Sequence, residues 1–216
     1  MHPHLHAVHA GPARDEVFAD RVERTAIRKR PVAGPVPVGF DGLDGDERAD
    51  SDHAGAFHAV YAFALEDLEL WGRRLGVPVP PGHFGENLTT AGIDVNEALV
   101  GEQWRIGSVL LEVVSVRIPC SVFKRWMGAT GFDETAWVKR FTAEGRPGPY
   151  LRVLEPGTLA AGDDIVVEHR PDHDVTVSTM FAALTTRRDL LPRLAGLERI
   201  DPEATEAARA YVAAMA

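Results

Sequence analysis

The sequence predicts a mainly β fold that also carries helices, an α+β protein, and three observations point that way. Val109 to Ile118 gathers β-branched residues and leucines into one run, with Gly107 before it and Pro119 after it. The 20 glycines and 15 prolines are spread along the chain, which favours short strands and turns over long helices. After Arg170-Pro171 the pattern turns helical, so residues 1–171 read as a β domain and 172–216 as a short C-terminal helical appendage.

The elements follow in order. His4 to His9 alternates weakly and predicts an opening strand. Ala26–Pro31 and Gly34–Phe40, broken by prolines, predict two short edge segments, and Asp41-Gly42 and Asp44-Gly45 predict turns. Leu65, Leu68, Trp71 and Leu75 share one face of a helix over 64–75, with acids at its start, Arg73-Arg74 at its end and Gly76 as its cap. Along 109–118, Val109, Leu111 and Val113 lie on one face and Leu110, Val114 and Val116 on the other. A strand covered on both sides belongs inside a sandwich or barrel. Tyr150–Leu154 and Asp164–His169 predict two more strands. Ser178 predicts the cap of a helix starting near Thr179, and Asp201-Pro202 the start of an alanine-rich helix running to the C-terminus.

Composition narrows the function. A net charge of −9 argues against binding a nucleic-acid polymer. No apolar run reaches the ~20 residues of a membrane span, and Met1-His2-Pro3-His4-Leu5-His6 lacks the form of a signal peptide, so the expected location is cytoplasmic and no membrane partner is expected. Gly-rich phosphate loops, Gly-x-Ser-x-Gly, His-Glu-x-x-His and Cys-x-x-Cys are all missing from the sequence. The N-terminal histidines have no second ligand cluster at metal-site spacing.

Four features could carry chemistry. Cys120 is the single cysteine and follows Pro119 at a strand end. It can be a packed small hydrophobe, a nucleophilic thiolate or a ligand to a soft metal. Gly82 to Thr90 presents Glu86 and Asn87 from a glycine-bearing loop, either towards a ligand or in a turn where Asn87 bonds its own backbone. Asp44–Asp50 with His53 can relay a proton, bind metal or be a solvated face. Arg28, Lys29, Arg30, Arg117, Lys139-Arg140, Arg146, Arg152 and Arg170 stand near predicted strand ends, where arginine forks suit phosphate or carboxylate.

Taken in order, these pieces resemble the MOSC family, named for the C-terminal domain of molybdenum cofactor sulfurase, and in particular its single-domain bacterial YiiM-like subgroup. The carrying residues are Lys29-Arg30-Pro31-Val32, Gly45-Asp46, Ala49-Asp50, His53 with Gly55, and Phe84-Gly85-Glu86-Asn87-Leu88-Thr89. They continue with Arg117-Ile118-Pro119-Cys120, Lys139-Arg140-Phe141, Gly145-Arg146, Tyr150 and Arg170-Pro171. The resemblance implies a β-barrel-like domain that binds a molybdenum cofactor (molybdopterin), with Cys120 as sulfur ligand to the metal. It implies reduction of N-hydroxylated compounds, such as hydroxylaminopurine base analogues, with electrons from a separate flavin or iron-sulfur reductase. Cys120, His53, Glu86 and Asn87 are then the expected catalytic residues. Arg30, His58, Phe84, Gly85, Arg117, Lys139, Arg140, Arg146 and Arg152 are the expected cofactor contacts. The alternative is a non-catalytic carrier of the cofactor, or of sulfur on Cys120; self-association as a homodimer is left open.

The likeness has one departure. Where family members read His-Gly-Gly and then a lysine, this chain has His53-Ala54-Gly55 and then His58 in the lysine's place.

Overall fold

The computed structural model describes residues 2–18, 21–49 and 55–215. It is a sheet-dominated α+β protein. Strand β1 (His4–Ala10) opens the chain as expected, and β2 (Arg14–Phe18) and β3 (Arg21–Thr25) form a two-stranded hairpin that the sequence reading missed. Only β4 (Arg30–Pro31) of the first proline-broken segment is a strand, whereas β5 (Val36–Gly39) and β6 (Gly42–Leu43) pair across a two-residue turn at Phe40-Asp41. A 3-10 turn, Ala56–His58, leads into β7 (Val60–Ala64) and directly into α1 (Leu65–Leu75). Gly76 closes α1 in the left-handed region at φ 73°, the conformation a residue without Cβ adopts most readily.

Strands β8 (Leu88–Ala91), β9 (Gln103–Ile106) and β10 (Val109–Val116) follow. Every residue of β10 is buried, as its two apolar faces require. The chain then makes two helices that the sequence reading did not foresee, α2 (Ser121–Ala129) and α3 (Trp137–Glu144). Next come β11 (Pro149–Glu155), β12 (Gly157–Leu159), β13 (Ile165–His169), α4 (Val177–Thr185) and α5 (Pro202–Ala213). The cap of α4 is Thr176, not Ser178. The Thr176 hydroxyl accepts from Thr179 N at 3.1 Å, while Ser178 lies inside the helix and donates to Asn96 O at 3.1 Å.

The main sheet has the order β13-β9-β10-β11-β7-β8-β1-β4. All its neighbours are antiparallel except β7 and β8, which α1 joins as a crossover, the connection that parallel strands need. A β12-β5-β6 sheet lies beside it. No continuous ladder closes the main sheet into a barrel among the described residues. Strand β1, next to the β4 end, meets the stretch just before β13 through an isolated bridge between His4 and Asp164, with Leu5 N donating to Asp163 O at 2.8 Å.

One aromatic cluster fixes the helices on the strands. Phe84 is wholly buried, with its ring edge-on to Phe63 of β7, Trp71 of α1, Phe123 of α2, and Trp137 and Phe141 of α3. Edge-to-face pairs of this kind add about 0.5–1.5 kcal/mol each beyond area burial. They hold the start of α2, and with it Cys120, against the sheet. Among the described residues, no helix is long and apolar enough to cross a membrane.

Candidate active site

A cavity of about 800 Å3 opens where the ends of β7, β10 and β11 meet the start of α2 and the C-terminal helices. Cys120 lies on its wall. Regular pairing of β10 stops at Val116, Arg117 to Cys120 leave the sheet, and Cys120 is the N-terminal flanking residue of α2. Its residue is exposed, and its side chain does not cap the helix. Of the three roles open to it, the packed hydrophobe is thereby removed.

Arg117 faces the same cavity. Its Nη1 donates to the Tyr150 hydroxyl at 2.9 Å, and its guanidinium lies 5.5 Å from the Tyr61 ring centroid and 5.3 Å from that of Phe123. Burial works against its charge, whereas Tyr150, Tyr61 and Cys120, anionic only when deprotonated, raise its pKa. No carboxylate among the described residues forms an ion pair with it. A half-buried cation without a counter-charge loses part of its hydration unless something else supplies the anion.

The loop before β8 is built for position. Phe84 anchors it in the aromatic core, and Gly85 turns at φ 82°, where a Cβ would come within 3.1 Å of Ile27 Cγ1. Glu86 is wholly buried and accepts from Gly82 N at 2.5 Å, Phe84 N at 3.0 Å and the Thr89 hydroxyl at 3.1 Å. Burial raises its carboxyl to about 7. Glu86 does not line the cavity, so what it visibly does is hold the loop. Asn87 does line it. Its Oδ1 accepts from Tyr61 N at 3.0 Å, and its Nδ2 donates to His9 O at 3.2 Å and to Asp46 Oδ2 at 2.9 Å. Asn87 therefore ties three segments together rather than bonding its own backbone. Asp46 also accepts from Gly11 N at 2.9 Å and pairs with Lys29. Burial is the largest influence on Lys29 and lowers its pKa despite that partner.

His58 is on the cavity wall, with Nε2 2.7 Å from Asp201 Oδ2 and its ring 4.4 Å from that of Tyr150. Tyr150 in turn stacks obliquely on Tyr61 at 5.1 Å. Asp201 reaches the cavity from the start of α5, as do Ala204 and Ala207 from within that helix.

Five of the expected residues thus converge on the cavity: Cys120, Asn87, His58, Gly85 and Arg117. His53 lies outside the described residues. The other basic candidates sit elsewhere. Arg30 is exposed on β4 and Lys139 exposed on α3. Arg140 pairs with Asp133, Arg146 with Asp67 and Asp94, and Arg152 with Glu112. Phe84 is core. The sequence reading gave no role to Tyr61 or Ser115 and took Asp201 only as a helix cap; all three line the cavity. Tyr150 appeared in it only as part of a motif.

Residues 49–166 match the MOSC domain. The chain is 30% identical to protein YiiM of Escherichia coli over 163 residues, covering 73% of this chain and 70% of YiiM. It is 35% identical over 156 residues to a protein of Gibberella moniliformis named "Reductase", covering 68% of this chain and 26% of that longer protein. The crystal structure of YiiM from Geobacillus stearothermophilus superposes with a TM-score of 0.77 over 97% of this chain and 99% of that one, at 22% identity, which is a likeness of fold.

Proposed function

The chain belongs to the MOSC domain family as a YiiM-like member, and on that premise we propose that it binds a molybdenum cofactor and reduces N-hydroxylated compounds such as hydroxylaminopurine bases. Electrons come from a separate flavin or iron-sulfur reductase. One observation carries the reading: an exposed thiol, Cys120, and a half-buried guanidinium with no carboxylate partner among the described residues, Arg117, line the same cavity. A group that combines a soft metal with an anionic phosphate needs that pair of donors. The reductase name of the fungal relative supports redox chemistry.

The residues present fit such a group. Cys120 would hold the metal through sulfur, and Arg117 would neutralise an anionic part. The chemistry supplied by the bound cofactor is two-electron cleavage of an N–O bond. Tyr61 and Tyr150, with rings tilted 38° to one another, offer an aromatic wall on which a planar base can rest against one ring. Asn87 and Asp46 keep that wall registered on β1 and β7, because each bonds across to those strands or the loop after β1. The α5 side closes the cavity with small residues, Ala204 and Ala207, which leaves room for a substrate.

Turnover tests the reading. Protein purified from a host that makes the cofactor, supplied with a flavin reductase and 6-hydroxylaminopurine, should release the amine. Cofactor retained without turnover would contradict the enzymatic reading and leave a carrier.

A further inference from the structure

We propose that His58, positioned by Asp201 of the C-terminal helical unit, donates the proton that converts the departing substrate oxygen into water. The proposal rests on the reductase reading above and deepens it.

His58 ends the 3-10 turn before β7 and lines the cavity. Asp201 is fixed before it meets the imidazole. Its backbone N donates to Val114 O at 3.1 Å, and its Oδ1 accepts from Glu203 N at 2.8 Å as the cap of α5. Oδ2 then accepts from the Ser115 hydroxyl at 3.0 Å and faces His58 Nε2 at 2.7 Å. Tyr150 supports one side of the ring. With Nε2 committed to Asp201, the other ring nitrogen is the one that can give a proton to a ligand, and it bonds to no described residue.

Burial would raise the Asp201 carboxyl, but hydrogen bonds from His58 and Glu203 N outweigh it and hold the group below its usual value. A carboxylate that stays ionised balances an imidazolium beside it. Among the described residues, Tyr150 of β11 packs on the ring, and the same cavity wall carries Glu203 of α5, Arg117, Arg48 and the Lys29–Asp46 pair. The overall step balances: R–NH–OH, two electrons from the external reductase and two protons give R–NH2 and water. The N–O bond breaks, the oxygen takes the His58 proton, and the nitrogen takes its proton from solvent. A histidine here also ties turnover to pH in a way that a lysine would not.

The test follows kcat against pH for 6-hydroxylaminopurine reduction, alongside the NMR titration of the His58 ring in isotopically labelled protein. Removing a proton donor costs roughly 100-fold or more. His58→Gln should lose that factor in kcat with KM little changed. His58→Lys should recover much of it and carry the alkaline fall in rate to higher pH. Asp201→Asn keeps an acceptor for Glu203 N and should lower the pH midpoint of the His58 ring signal. A His58→Gln enzyme with wild-type rate and pH profile overturns this proposal alone, as does an Asp201→Asn protein with an unmoved ring titration. A cofactor-loaded wild type that reduces nothing overturns the reductase reading together with it.

Discussion

Arg117 donates to the Tyr150 hydroxyl at 2.9 Å, and the two side chains share the cavity with Cys120, with no carboxylate on the guanidinium among the described residues. In the ligand-free protein this half-buried charge gives up hydration without an opposite charge to replace it. It becomes favourable when an anion arrives. Arg117→Met should therefore leave the thermal stability of ligand-free protein unchanged or higher. It should also weaken retention of a phosphate-bearing pterin about 10- to 100-fold, the factor that a charge-assisted hydrogen bond of ~1.5–3 kcal/mol supplies. Pterin content after purification, read by fluorescence of the oxidised form, checks it. A destabilised protein with unchanged pterin content would contradict it.

Lys29 and Asp46 make the opposite case, a buried pair that is already matched. Asp46 would keep donors from Gly11 N and Asn87 in a Lys29→Met variant. Lys29 would keep no partner among the described residues in Asp46→Ala. Breaking such a pair from the side that strands a charge costs roughly 3–5 kcal/mol. Urea unfolding should show Asp46→Ala losing about that much and Lys29→Met clearly less. Equal losses would mean that the ammonium is not stranded.

Glu86 gives a pH signature. Its carboxyl sits at about 7 in the folded protein against an ordinary 4.5, with burial as the main cause. A carboxyl whose value is raised on folding adds stability below pH 4.5, and that contribution fades as pH climbs through 7. His9 and His83 act the other way. Burial lowers each from 6.5 to about 4, so their contribution is present above pH 6.5 and is lost as pH falls through 4. Glu86→Gln should isolate the carboxyl's part. Wild-type stability minus variant stability should fall by on the order of 3 kcal/mol between pH 4.5 and 7.5. A difference that stays flat with pH would show Glu86 ionised throughout.

Much of the fold was legible because its signals are local. The apolar stripe, terminal charges and Gly76 set α1, and Asp201-Pro202 set the start of α5. Both faces of 109–116 announced a buried strand. Helix α2 escaped although Phe123, Trp126 and Met127 fall on one face, because the proline and cysteine before them suggested only the end of a strand. The site was legible in part for the same reason. Cys120, Asn87 and Arg117 sit in recognisable local motifs, whereas Asp201 meets Ser115 from 86 residues away. Nor does a string of residues say which arginines already own a carboxylate. Arg140, Arg146 and Arg152 do, and Arg117 does not among the described residues.

The central claim is that Cys120 and Arg117 together hold a molybdenum group. Its most direct test is the molybdenum content of protein isolated from a host that makes the cofactor, for wild type and Cys120→Ala side by side. The account predicts metal close to one per chain in the wild type, and little or none in Cys120→Ala with its fold intact by circular dichroism. A wild type without molybdenum, or a Cys120→Ala protein that carries as much as the wild type, would contradict it.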